Sequence, residues 1–328
     1  MAAQPSVVEA EAQAAAAPAA PSRKSLLIAF ERPGYLRPFL ALAIDLGVFA
    51  FGGVLVMMDS ALWVKLIGSV LITAGIVRLF LIGHDACHGA FFKSPLLNDI
   101  FGRIAFIPSM TAFSLWDVGH NVAHHGFNNL RGRDFVWEPK SEAEYRALPA
   151  WRRSVEHLYR SALGPAIYYF VEIWWKRLFF PNRQNMPARR LEFTLDSSLA
   201  LGVACVWVAG IFWYAQAHQQ SFVAALLLSF VAPFILWIWT VGIVVYLHHT
   251  GPDVRWFGDK AEWQQHWMDA HGVPLRSRLV SGFGRSMRWA ALAPRLYNWM
   301  VSAPALSRWI KDFSRSDAWL EELQRWPF

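Results

Sequence analysis

Phe39 to Met58 reads FLALAIDLGVFAFGGVLVMM, and Ala61 to Gly83 reads ALWVKLIGSVLITAGIVRLFLIG. Each stretch matches the roughly 20 apolar residues that an α-helix needs to cross the hydrocarbon core of a bilayer. Only Asp59 and Ser60 lie between them, a tight connector with no positive charge. A second pair has the same form: Leu195 to Tyr214, then Phe222 to Leu247, joined by Ala215 to Ser221 with no Lys or Arg. The segments outside the pairs are basic. Asp85 to Leu191 carries 14 Lys/Arg against 9 Asp/Glu, and the chain after Leu247 is Arg-rich. Excess Lys and Arg mark the cytoplasmic side of a membrane protein. The pattern predicts an all-α integral membrane protein with four transmembrane helices arranged as two hairpins. Its N-terminus, middle segment and C-terminus are expected on the cytoplasmic side.

The composition agrees. Of 328 residues, 55% are hydrophobic and 17% charged, against about 25% charged in an ordinary soluble domain. The mean hydropathy is +0.25. Two cysteines, Cys87 and Cys205, exclude a disulfide scaffold and a cysteine-based zinc or iron–sulfur site. The net charge of +7, in a chain this apolar, points to a membrane surface and not to nucleic acid.

Residues 1–22, rich in Ala, Pro and Gln, lack the apolar core of a signal peptide and are expected to form a disordered tail. Residues 23–263 form the membrane domain, and 264–328 a divergent C-terminal region. Asp45 lies within the first span, where a carboxylate must face other helices or be protonated. Lys65 and Arg78 lie nearer the ends of the second, where long side chains can reach the interface. Ile100–Leu115 and Leu163–Phe180 are too short or too broken by Pro and Gly for a fifth span. Val155–Phe180 mixes aromatic and charged residues and reads as an interfacial helix.

The eleven histidines fall in groups. His84 and His88 are four apart, as are His120 and His124, with His125 adjacent. His248 and His249 end the fourth span, and His266 and His271 lie beyond it. Spacing of four puts two imidazoles on one helical face, and neutral imidazole is the commonest nitrogen ligand for zinc, copper and iron. The second and fourth spans both exit on the cytoplasmic side, so His84/His88 and His248/His249 emerge at one level, with the His120 group in the loop between. That convergence is a metal site. At least six imidazoles, more than one ion needs, suggest two ions. Nitrogen donors suit iron and O2 chemistry, whereas calcium and magnesium prefer oxygen. His157 stands alone, and His218 lies at the opposite membrane face, about 30 Å away for a span of ~20 residues. Cys87 reads as a packing residue.

At these residues the sequence resembles the membrane fatty acid desaturases, the histidine-box di-iron enzymes. His84-Asp-Ala-Cys-His88 matches their first box and His120-Asn-Val-Ala-His124-His125 the second. Asn128 to Pro139 is similar to the segment after the second box in bacterial acyl-lipid members. Tyr246-Leu-His-His249-Thr-Gly-Pro252 resembles the motif closing their last span, in which His249 takes the ligand position and His248 replaces a glutamine. The resemblance covers about Leu26 to Trp263. It implies a four-span bundle with a cytoplasmic helical cap, in a bacterial inner membrane. Two iron ions would be held by His84, His88, His120, His124, His125 and His249, with Asp85 and Asn121 as supporting hydrogen-bond partners of the imidazoles. It further implies O2 as co-substrate, a fatty acyl lipid or thioester as substrate, and ferredoxin or a cytochrome b5-like protein as electron donor. The family's third box, His-x-x-His-His, is absent, and no histidine occurs after His271. A site short of ligands, with one iron loosely held, is the expectation from that absence.

Other functional classes remain open. A hydroxylase or ketolase on the same scaffold would use the same clusters. A lipid- or partner-binding relative without turnover would account for the missing box. A zinc protease is disfavoured because Asn121 stands where His-Glu-x-x-His needs its general base. A membrane haem protein would need histidines facing each other within the bilayer, and these lie at span ends.

Overall fold

A computed structural model describes residues 35–183, 185–186, 190–250 and 254–264. The expected tail over 1–22, His266, His271 and the C-terminal region from residue 265 lie outside the described residues. The described chain is helical, without a strand, and four of its helices are long and apolar enough to cross a bilayer. They are α1 (Leu36–Met57), α2 (Leu62–Cys87), α8 (Leu191–Ala217) and α9 (Phe222–His249). α2 and α9 run past Gly83 and Leu247, where the apolar stretches that predicted them end, so the last turn of α2 carries His84 and that of α9 carries His249.

Gly52 and Gly68 let the first hairpin close. A Cβ on Gly52 would lie 2.7 Å from the Gly68 carbonyl oxygen, and one on Gly68 equally close to that of Gly52. This contact sets the rotation that brings Asp45, 2% exposed, against Arg78, with which it forms an ion pair. Arg78 therefore pairs inward and does not snorkel. Lys65 instead donates from Nζ to the carbonyls of Val56 (2.9 Å) and Met58 (2.8 Å), which the end of α1 leaves without partners. Gln220 ties the two hairpins together at this end by donating to the Met57 carbonyl at 2.9 Å.

Between the hairpins lie α3 (Pro95–Phe106), the short α4 (Phe113–Trp116), α5 (Glu142–Ala147), α6 (Ala150–Tyr159) and α7 (Gly164–Tyr168). Two of these widen into π-helix: α4 continues over Asp117–His124, and α7 over Tyr169–Phe179. The interfacial helix expected over Val155–Phe180 is in fact two elements. The chain breaks at Gly164, where any Cβ would lie 2.1 Å from the Tyr159 carbonyl oxygen. Beyond the break the helix is core: Tyr169, Ile173, Trp174 and Leu178 are buried with Phe80, Phe106 and Trp237. Its first turn abuts the fourth span, where a Cβ on Gly242 would come within 2.5 Å of the Pro165 carbonyl. The interfacial pattern is clearest in α6. There Trp151 and Leu158 point outward, 67% and 45% exposed, while Glu156 is buried among Arg152, Arg160 and Lys140.

Candidate metal centre

α2 delivers the first two imidazoles. His84 stands in its last turn and His88 caps it. The next three come from the π-helix, where the backbone N–H of His125 bonds to the carbonyl of His120, five residues back. This wide turn changes which histidines meet. A 3.6-residue helix would pair His120 with His124. Here His120 Nε2 and His125 Nε2 stand 3.0 Å apart, and His124 is turned elsewhere. π-Turns of this kind recur at functional sites.

Four imidazoles form a compact set. His84 Nε2 lies 3.0 Å from His120 Nε2 and 3.3 Å from His88 Nε2. One ring nitrogen from each of His84, His88, His120 and His125 falls within 4.8 Å of every other. Neighbouring nitrogens bound 2.0–2.1 Å from one ion would stand about 3.0–3.4 Å apart, which the His84–His120, His84–His88 and His120–His125 spacings match. Burial, reinforced by the other imidazoles, holds His88, His120 and His125 well below the usual imidazole range. All three are neutral near pH 7 and keep a lone pair to donate. The indole of Trp116 stacks on His120, with centroids 4.5 Å apart.

His124 and His249 make a second group, with ring centroids 4.8 Å apart. Their connection to the first set runs through His125, 5.2 Å from His124 by centroid. His124 donates from Nδ1 to Oδ1 of Asp134 at 2.9 Å, leaving Nε2 for a ligand. Asp134 is fully buried and also accepts from the backbone N–H of Asn129 (2.8 Å) and of Val136 (3.0 Å). Nδ1 of His249 is buried with no hydrogen-bond partner among the described residues, which suits a nitrogen that ligates an ion. Of the adjacent pair, His249 meets His124, whereas His248 is exposed at the helix end.

All six expected ligands thus come together. Asp85 also stands where expected, its Oδ1 3.2 Å from His84 Nδ1. Asn121 does not support an imidazole. Its Nδ2 donates to the Cys87 carbonyl (3.1 Å) and to Asp117 (2.7 Å), fastening the end of α2 to the π-helix. His157 faces Tyr145 on the surface, and His218 stacks on Tyr214 at the far end of α8. The loop after the second histidine group is held from the C-terminal side. Arg131 and Asn129 exchange backbone hydrogen bonds with Phe257, and the Trp263 indole donates to the Asn128 carbonyl. Sequence reasoning missed Asp134. Its available signal was an acid set among Phe135, Val136 and Trp137, where an unpartnered charge would be costly.

A sequence model of the fatty acid desaturase family matches residues 60–292. The chain belongs to that family. Among its curated relatives is an sn-1 acyl-lipid omega-3 desaturase (ferredoxin) of Synechocystis sp., 29% identical over 188 residues, covering 55% of this chain and 48% of the relative. An sn-1 oleoyl-lipid 12-desaturase of Arthrospira platensis is 25% identical over 197 residues, 57% of this chain and 50% of the relative. A chloroplastic omega-6 fatty acid desaturase of Brassica napus is 24% identical over 188 residues, 57% and 40%. The chain spans about half the length or less of these desaturases.

Proposed function

We propose that this chain is an O2-dependent fatty acyl desaturase with a histidine-ligated iron centre at the cytoplasmic end of its bundle, in a bacterial inner membrane with both termini cytoplasmic. The observation that carries this reading is the convergence of six imidazoles from three separate segments. His84, His88, His120 and His125 would hold one iron, and His124 and His249 part of a second. Bound iron supplies the chemistry by which O2, with two electrons and two protons, takes two hydrogens from a saturated carbon–carbon bond and leaves as two waters. The protein's own part is placement. Asp134 and Asp85 accept hydrogen bonds from Nδ1 of His124 and His84, which would fix the tautomer that leaves each Nε2 free for an ion. Trp116 fixes the plane of His120. Phe80, Phe106 and Trp237 keep the interior beneath the imidazoles apolar, as a buried acyl chain requires. The names of the relatives support an acyl lipid as substrate and ferredoxin as electron donor.

One observation favours a second reading, a relative that binds iron and acyl chain with little turnover. Among the described residues the second group has two imidazoles where the first has four, and the family's third box is absent. Expression in a host of known fatty acid profile, with gas chromatography of methyl esters, tests both. A new unsaturated ester supports the desaturase. Iron-loaded protein without product supports the second reading, and hydroxylated or keto products would reassign the reaction to a hydroxylase or ketolase.

A further inference from the structure

Asp134 reaches His124 from a turn, residues 134–137, that belongs to no helix or strand. Within it Trp137 has φ +58°, a left-handed conformation that a bulky side chain adopts only when its surroundings impose it. What imposes it is one phenol. The Trp137 N–H donates to Tyr168 Oη at 2.9 Å, and Tyr168 Oη donates to the Phe135 carbonyl at 3.0 Å. The hydroxyl thus commits a lone pair and its proton to two residues of the same turn. The Trp137 indole stacks on the Tyr168 ring, centroids 3.8 Å apart at 17°, and meets Tyr246 edge-on at 4.8 Å.

Tyr168 stands at the end of α7, whose first turn touches the fourth span at Gly242. The same span carries Tyr246 and, three residues on, His249. The Tyr168–Trp137–Tyr246 stack therefore joins the turn that bears Asp134 to the helix that bears His249. Because Asp134 Oδ1 accepts from both Val136 N and His124 Nδ1, a shift of the turn moves the carboxylate away from the imidazole.

We propose that Tyr168 is a positioning residue for the His124–His249 half of the centre: its hydroxyl fixes the 134–137 turn and, through Asp134, the orientation of His124. The inference rests on the metal-centre reading above. The test uses the full chain in nanodiscs, titrated anaerobically with Co(II) and followed by its visible spectrum. Tyr168→Phe keeps the stacked ring and removes only the hydroxyl. One class of bound Co(II) should weaken at least tenfold, in the range typical for loss of an outer hydrogen bond to a ligand, with a changed spectrum, while the tighter class stays within twofold of wild type. Tyr159→Phe is the control, since that neighbouring hydroxyl donates to Glu172 at 2.8 Å and touches no part of the turn. Combining Tyr168→Phe with Asp134→Asn should cost no more than Asp134→Asn alone, because both act through one contact. Unchanged affinities in Tyr168→Phe, equal weakening of both classes, an equal effect of Tyr159→Phe, or additive losses in the double variant would each overturn the assignment. A wild-type protein that binds neither Co(II) nor iron would overturn the metal-centre reading itself.

Discussion

Replacing Asp134 perturbs the centre without touching a ligand. Its carboxylate is fully buried and accepts three hydrogen bonds, from His124 Nδ1, Asn129 N and Val136 N. Asp134→Ala leaves all three donors unmet. A buried donor without a partner costs about 1–3 kcal/mol, so the loss should be at least about 3 kcal/mol of stability. Asp134→Asn separates fold from function more cleanly. With its oxygen toward His124 and Val136, its amide nitrogen faces the Asn129 N–H, and one donor, not three, is orphaned. Stability should then fall by about 1–3 kcal/mol, while iron affinity falls 10- to 100-fold because His124 loses its charged partner. Thermal melts of the metal-free protein report the first quantity, and anaerobic iron titration the second. An Asp134→Asn protein that melts and binds iron as wild type does would refute the claim that this carboxylate holds His124.

Three further outcomes are expected. Arg78→Leu leaves the Asp45 carboxylate buried between two spans and should cost about 3–5 kcal/mol, most of it recovered in Arg78→Leu/Asp45→Leu; equal stability of the single and double variants in unfolding assays would refute the pairing. His88, His120 and His125 bind fewer protons folded than unfolded, because burial lowers their pKa values. The metal-free protein should therefore lose stability as pH falls through the unfolded imidazole value of about 6.5, and a thermal midpoint that rises from pH 7 to pH 5 would contradict this. Reporter fusions after Ser60 and Gln219 should read non-cytoplasmic and one after Lys140 cytoplasmic; the opposite result at Lys140 would reverse the proposed orientation.

The four spans were legible because length and hydropathy alone define them, and the His84/His88 pair because an α-helix repeats every 3.6 residues. The partnering within the second histidine group was not. Nothing in His120-Asn-Val-Ala-His124-His125 announces a π-turn, which aligns residues five apart and sends His124 to Asp134 and His249. Asp45 was conspicuous in a span, but its partner came from the rotation of two helices about the Gly52–Gly68 contact. Asp134 and Tyr168 act across loop and helix, where no sequence period reports contact. Gly164 and Pro165 signalled a break, but the mixture of aromatic and charged residues across Val155–Phe180 read as one interfacial helix over it.

Iron on the purified protein is the decisive quantity. Anaerobic reconstitution and metal analysis should find iron on the wild-type chain, one equivalent held tightly and a second more weakly. His120→Ala, which removes the imidazole touching both His84 and His125, should lose the tight equivalent while the protein stays in the membrane. One equivalent of zinc with no iron, or undiminished iron in His120→Ala, would contradict a di-iron centre built on these histidines.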